Sequence, residues 1–207
     1  MKLYSFPISP NGKRVNICAI ESGVALDPAI LDVAKGEMRA PQYLALNPMG
    51  KAPTLTDSDF ALWESGAIVC YLAQTSGGPL WPKDPRALAD TMRWLFFCSC
   101  HIDPYFTTLV VERFIKARRG LPPDEVHTAY AEQWLARFVP VLEGQLADRE
   151  YLRGEFGLGD ILLGCSLELA PLVSYDLGPY PAVRAWIDRL QARDSWRAAA
   201  PPLTRPR

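Results

Sequence analysis

The segment Ile8-Ser9-Pro10-Asn11-Gly12-Lys13-Arg14 sets a hydroxyl, a proline and a side-chain amide at the point where a strand pattern gives way to a helix pattern. A serine just before a helix is an N-cap, and proline is favoured at the first helical position. That reading accounts for Ser9 by itself. The same geometry also suits an anion, because a helix start offers unpaired N–H groups and a partial positive charge. A thiolate is such an anion. A free thiol with a pKa near ~8.5 is only a few per cent ionised at neutral pH. Lowering that pKa by about 2 units takes about 2.7 kcal/mol of preferential binding to the thiolate. The Ser9 hydroxyl, the Asn11 amide and the helix start could together supply it.

Two further stretches carry related chemistry. In Asn47-Pro48-Met49-Gly50-Lys51-Ala52-Pro53-Thr54, a proline opens a short strand after a glycine-containing turn. It is either a plain strand-initiating proline beside a surface lysine or a cis proline. A cis Ala52-Pro53 bond would turn the backbone of Ala52 outward, where an extended peptide could pair with it as a strand does. Lys51 could then hold a carboxylate. In Trp63-Glu64-Ser65-Gly66-Ala67-Ile68, Ser65 reads as a helix N-cap. Glu64 is either a solvated acid or the partner of an ammonium group. An acid beside a helix start matches the α-amine and α-carboxylate of an amino acid.

The elements that must position these residues follow from periodicity. Strands are expected over Lys2–Phe6, Ala29–Val33, Thr54–Thr56 and Phe60–Trp63. Helices are expected over Asn11–Ser22, Ala40–Leu46 and Ser65–Gln74. The order is βαβ, a linking helix, then ββα, with parallel strands first and an antiparallel hairpin second. Residues 77–85, rich in Gly and Pro, form a linker. After it strand signals almost vanish. Helical patterns cover Arg86–Lys116 with a kink at Pro104, then Pro123–Ala147, Leu158–Val173 and Ala182–Arg193. The tail Ala198–Arg207 reads as an extended or frayed end. Two domains are therefore expected, 1–76 and 86–207.

Composition narrows the functions. The chain has 207 residues, 49% hydrophobic and 22% charged, with a formal net charge of -1. No basic stripe points to nucleic acid. The cluster Arg113, Lys116, Arg118, Arg119 reads as the solvated end of a helix. No apolar run is long enough for a membrane span, and no apolar leader precedes the first strand. A soluble intracellular protein is expected. The five cysteines include no CxxC pair. Cys18, Cys70 and Cys165 read as small core residues, while Cys98 and Cys100 diverge on a helix. With His101 and His127 the only histidines, no metal site is expected.

With these pieces assembled, the chain resembles the cytosolic glutathione transferase superfamily over its whole length. The Ser-Pro-Asn-Gly turn, Asn-Pro-Met-Gly-Lys-Ala-Pro and Glu-Ser-Gly-Ala-Ile carry the resemblance. It implies a thioredoxin-like βαβ-ββα domain followed by an all-helical domain, with glutathione as co-substrate and no metal. By resemblance, Glu64 and Ser65 hold the γ-glutamyl end, Ala52 before Pro53 pairs with the cysteinyl unit, and Lys51 lies near the glycyl carboxylate. Ser9 is then the thiol-activating hydroxyl of a serine-type class. The turn is also similar to that of the bacterial nu class, in which Asn11 would contribute and disulfides or peroxides are reduced. Met38 stands where many relatives carry a Gln or His for the glycyl carboxylate; Lys35 or Arg39 is the candidate substitute. The buried helix of the second domain opens with Gly157-Leu158-Gly159-Asp160, where relatives usually have Ser or Thr first. Asp160 can still reach back to cap it. For a small hydrophobic electrophile, Ile8 in the first loop and Ile102, Tyr105, Phe106 and Leu109 on the first long helix are candidates. Family members are usually cytoplasmic homodimers.

Overall fold

Alternating residues of Lys2–Ser5 put Leu3 and Ser5 inward and form β1, against which the rest of the first unit assembles. In the computed structural model, which describes residues 1–199, β1 is followed by α1 (Pro10–Glu21), β2 (Asp27–Ile30), a 3₁₀ turn (Glu37–Arg39) and α2 (Pro41–Leu44). Then come β3 (Thr54–Asp57), β4 (Phe60–Trp63) and α3 (Ser65–Ser76). The sheet order is β2-β1-β3-β4. β1 and β2 pair in parallel, with Tyr4 opposite Ala29, while β3 is antiparallel to both β1 and β4. This is the expected mixed sheet of a thioredoxin-like domain. The second strand begins two residues earlier than its apolar pattern suggests. Its register is set by pairing with β1, from Lys2–Asp27 to Ser5–Ile30, and Leu31 remains tied to Ser5 by a 2.8 Å backbone bond.

The apolar faces of α1 (Val15, Ile17, Cys18) and α3 (Ile68, Val69, Leu72) are fully buried and pack on one another. The Cys18 thiol donates to the Val69 carbonyl at 3.4 Å. Burial pushes the Cys18 thiol up to about 12 and the Cys70 thiol up to about 11. Neither is an ionised nucleophile at neutral pH. Cys18, Cys70, Cys98, Cys100 and Cys165 are all free thiols.

The first compact unit runs through Trp81 and is rejoined by the segment from Asp194, so it reaches past the expected boundary at residue 76 and takes back residues expected in the helical domain. That segment holds a short helix, α10 (Asp194–Ala198), absent from the sequence reading. α10 packs on α1. The Ser195 hydroxyl bonds Glu21, and the Lys13 ammonium lies 5.6 Å from the Trp196 ring centre. The extended tail expected for 198–207 falls, from residue 200 onward, outside the described residues.

The second unit, Pro82–Arg193, is helical. α4 (Pro85–Phe97), α5 (Asp103–Leu109) and α6 (Lys116–Arg118) form one run, interrupted by wider i→i+5 turns at Cys98–Ile102 and Val110–Ile115. Pro104, the expected kink, sits in the first turn of α5, directly after the first wide segment. There the Asp103 N–H reaches back to the Cys98 carbonyl, and the Pro104 ring, which would clash with the Cys100 carbonyl four residues back in a regular ladder, favours the wider turn. α7 (Glu125–Leu146), α8 (Leu158–Leu167) and α9 (Pro181–Gln191) complete the unit. Every residue of α8 is buried. Three residues of the basic cluster have partners: Arg113 with Glu132 at 2.7 Å, Lys116 with Glu112 at 2.6 Å, and Arg118 over the Phe114 ring.

Candidate active site

Ser9 is the N-cap of α1, with φ -75° and ψ 116°, and its Oγ accepts from the Gly12 N–H at 3.1 Å. Using a lone pair this way leaves the Ser9 O–H as a donor to something else. Pro10 has no N–H, so the Asn11 N–H is the one donor of this first turn without an acceptor inside the helix. Ser9 is buried and Asn11 exposed. Gly12 permits the close approach of β1. An ideal Cβ there would lie 2.1 Å from the Ser5 Oγ, a collision that any larger residue would have to relieve.

Ser65 is buried, as is Pro53; Glu64 and Lys51 are exposed, and Ala52 is half-buried. Ser65 does not cap α3, contrary to expectation. It is the first helical residue, and the N-cap is Glu64. Glu64 holds φ 74° and ψ 114°, a backbone conformation that costs a non-glycine residue about 1–3 kcal/mol, and its side chain makes no capping bond. A glutamate is one methylene too long to fold back as Ser or Asp does. The start of α3 thus keeps its N–H groups and the Ser65 hydroxyl for an outside acceptor.

The two helix starts meet at Arg14, a residue the sequence reading passed over. Its buried guanidinium donates through Nη1 to the Asn11 Oδ1 at 2.8 Å and lies 3.5 Å from the Ser65 Oγ. The i, i+3 spacing of Asn11 and Arg14 on one helix face was a readable signal of the first contact. The second joins residues 51 positions apart and had none.

The Ala52-Pro53 bond is cis. The loop that carries it is braced from behind. The Tyr43 hydroxyl donates to the Lys51 carbonyl at 2.6 Å and contacts the Thr54 Oγ1 at 2.9 Å. The Asn47 amide donates to the same two groups, at 2.8 and 3.1 Å, and its Oδ1 accepts from the Met49 N–H. Burial raises the Tyr43 hydroxyl above its ordinary pKa, so it stays a donor. Gly50 turns with φ +57°, and a Cβ there would come within 2.9 Å of the Arg39 guanidinium. Arg39 therefore stands beside this loop. Lys35 is instead turned to Asp32, 3.3 Å away.

The second-substrate candidates divide. Ile8 is 48% exposed, next to Ser9. Ile102, Phe106 and Leu109 are buried in the helical unit, with 0%, 2% and 0% of their surface exposed. Their spacing of four and three marks the buried stripe of a helix. Tyr105 is half-buried, its ring in contact with Tyr130, Trp134 and Phe138. His101 is exposed and lies 4.8 Å from Phe138, ring to ring. Among the described residues no group of three or more His, Cys, Asp or Glu could hold a metal ion, and no helix is long and apolar enough to cross a membrane.

Comparison with known proteins agrees with this arrangement. Residues 3–80 match the glutathione S-transferase N-terminal domain, and residues 91–194 the glutathione S-transferase C-terminal domain. Glutathione S-transferase 3 of Zea mays is 36% identical over 216 residues, covering 100% of this chain and 96% of its own. Glutathione S-transferase F10 of Arabidopsis thaliana is 30% identical, covering 97% and 96%. Among solved structures, the theta class glutathione S-transferase of the citrus canker pathogen Xanthomonas axonopodis pv. citri, crystallised with glutathione bound, superposes with a TM-score of 0.88 at 29% identity, covering 98% of this chain and 97% of that one. The chain belongs to the glutathione S-transferase family. It is an enzyme of the transferase class whose co-substrate is glutathione.

Proposed function

We propose that the protein joins the sulfur of glutathione to a small hydrophobic electrophile. The observation that carries this reading is the convergence of the α1 and α3 starts on Arg14. One end of a ligand with both a carboxylate and a thiolate can then face each start. The γ-glutamyl carboxylate takes the open start of α3 with the Ser65 hydroxyl, and its ammonium faces Glu64. The cysteinyl backbone pairs with Ala52, ahead of the cis Pro53. The glycyl carboxylate lies towards Lys51, with Arg39 as the second cation. The sulfur faces the Ser9 hydroxyl and Asn11.

Binding the thiolate better than the thiol releases the sulfur proton to solvent at neutral pH. The sulfur lone pair then forms a bond to the electrophilic carbon, and the leaving group departs with its bonding electrons. No side chain of the protein becomes covalently attached. Ile8, exposed beside Ser9, offers apolar surface to the electrophile.

Asn11, fixed by Arg14, also fits a second reading in which the same thiolate attacks a disulfide or peroxide. We further take the working form to be a cytoplasmic two-fold dimer. Light scattering should then give twice the 23.1 kDa chain mass.

The test is titration of glutathione bound to the protein, followed by ultraviolet thiolate absorbance, together with turnover of an aryl halide, a disulfide and a peroxide. A bound thiol at least 1 pH unit more acidic than the free one, with aryl halide turnover, is the expected result. Glutathione that binds with an ordinary thiol, or no turnover of any substrate, would leave a non-catalytic scaffold of this fold.

A further inference from the structure

Asn11 is exposed at the start of α1, and an exposed amide rotates freely, offering its oxygen and its nitrogen to a ligand about equally. Beside a thiolate the two are opposites. The NH₂ donates to the sulfur; the oxygen repels it. Arg14 removes this freedom. It lies one helical turn further on, on the same face as Asn11, and its Nη1 donates to the Asn11 Oδ1 at 2.8 Å. A guanidinium has only donors, so it selects the amide oxygen and turns the NH₂ outward. The oxygen is engaged by a cation, which polarises the amide and makes its remaining N–H a stronger donor. Arg14 itself cannot swing away. Only 3% of its surface is exposed, and the same Nη1 lies 3.5 Å from the Ser65 Oγ on the second helix start.

We infer that Arg14 is a positioning residue for the transferase reaction, one that acts on the glutathione sulfur through Asn11 by fixing the amide with its NH₂ towards the thiolate. The inference rests on the reading that Ser9 and Asn11 face that sulfur. It adds the source of the Asn11 orientation and a coupling between the sulfur-facing residue and the helix start assigned to the γ-glutamyl carboxylate.

Thiol titration of bound glutathione by thiolate absorbance tests it in the wild type, Asn11→Ala, Arg14→Gln, Arg14→Lys and the double variant Arg14→Gln/Asn11→Ala. Arg14→Gln should raise the bound thiol pKa by about 0.5–1 pH unit, a change on the scale of one lost charge-assisted bond. Arg14→Lys, which keeps the charge but not the fixed fork geometry, should give a smaller rise. The double variant should match Asn11→Ala alone, because the effect passes through that amide. If the Arg14→Gln and Asn11→Ala rises add, or if both Arg14 variants titrate as the wild type does, the inference is overturned. Should Arg14→Gln fail to fold, Arg14→Lys decides it alone: a thiol pKa equal to that of the wild type overturns the inference, and a rise that vanishes in the Asn11→Ala background supports it. A wild-type thiol no more acidic than free glutathione would instead remove the underlying reading, and the two failures are thereby distinguished.

Discussion

Two helix starts in this protein solve the same electrostatic problem in opposite ways. α8, in the helical unit, begins at Gly157, which has no side chain to cap with. Asp160, one turn in, reaches back with its buried carboxylate. Its Oδ2 accepts from the Gly157 N–H at 2.9 Å, and its Oδ1 accepts from the Leu152 N–H at 3.0 Å and the Trp186 indole at 2.8 Å. α3, in the first unit, begins at Glu64, whose carboxylate makes no capping bond and whose backbone is held at positive φ. The α8 start carries its own anion and is closed. The α3 start has no such anion of its own, and in the proposed function it receives one from outside. A helix start built for folding consumes its donors, and one built for binding keeps them.

The largest effect should come from opening the closed start. Asp160→Ala leaves three buried N–H donors without an acceptor and should cost about 3 kcal/mol or more in urea denaturation, with glutathione affinity of the folded fraction unchanged. A loss below about 1 kcal/mol would mean that the carboxylate is not what closes α8.

The activity counterpart is Ser9→Ala. Losing one preorganised donor to the thiolate should lower kcat/KM for an aryl halide about 100-fold and raise the bound thiol pKa. Asn11→Ala should do less. If steady-state kinetics give the reverse order, the amide is the principal donor and the disulfide and peroxide substrates become the better fit.

Next in size is Ser65→Ala at the open start. It should raise KM for glutathione about 10-fold with little change in kcat or stability, because it removes binding energy common to ground and transition states. A destabilised protein with normal KM would show instead that Ser65 serves folding.

The closed start should also have a pH signature. Burial raises the Asp160 carboxyl from 3.8 to about 6, outweighing the donors that favour its charge. The folded state therefore holds this proton to higher pH than the unfolded chain. Its stabilising contribution is fully present below about pH 4 and is lost as pH rises through 6. Asp160→Asn should flatten the stability profile across that window in denaturation series run at several pH values. An unchanged slope would point to another group.

The smallest effect separates two cations. Arg39→Ala should raise KM for glutathione a few-fold, and Lys35→Ala should not, since exposed charge pairs contribute about 1 kcal/mol or less and Lys35 is already turned to Asp32. Equal KM values for the two variants would take Arg39 away from the glycyl carboxylate.

Much of this was legible in the amino-acid order. Ser9 as a cap with Pro10 behind it, the antiparallel hairpin of β3 and β4, the proline after Ala52 and the back-reaching Asp160 are local features, each settled within three or four residues. The unit boundary was less legible, because Trp196 and Ser195 return to α1 from the far end of the chain and no local pattern announces that. Ile102, Phe106 and Leu109 look the same on paper whether they line a core or a pocket, since both use an apolar stripe at helical spacing.

By itself, the sequence determined the βαβ-ββα order, the helical second half and the types of residue available for chemistry, because turn, cap and periodicity preferences act over a few bonds. Tertiary structure alone decided that Glu64 and not Ser65 begins α3, and that Arg14 stands between Asn11 and Ser65. Both depend on where one helix comes to rest against another, and that position is set by the burial of Ile17, Cys18, Ile68 and Leu72, contributed by two helices far apart in the chain.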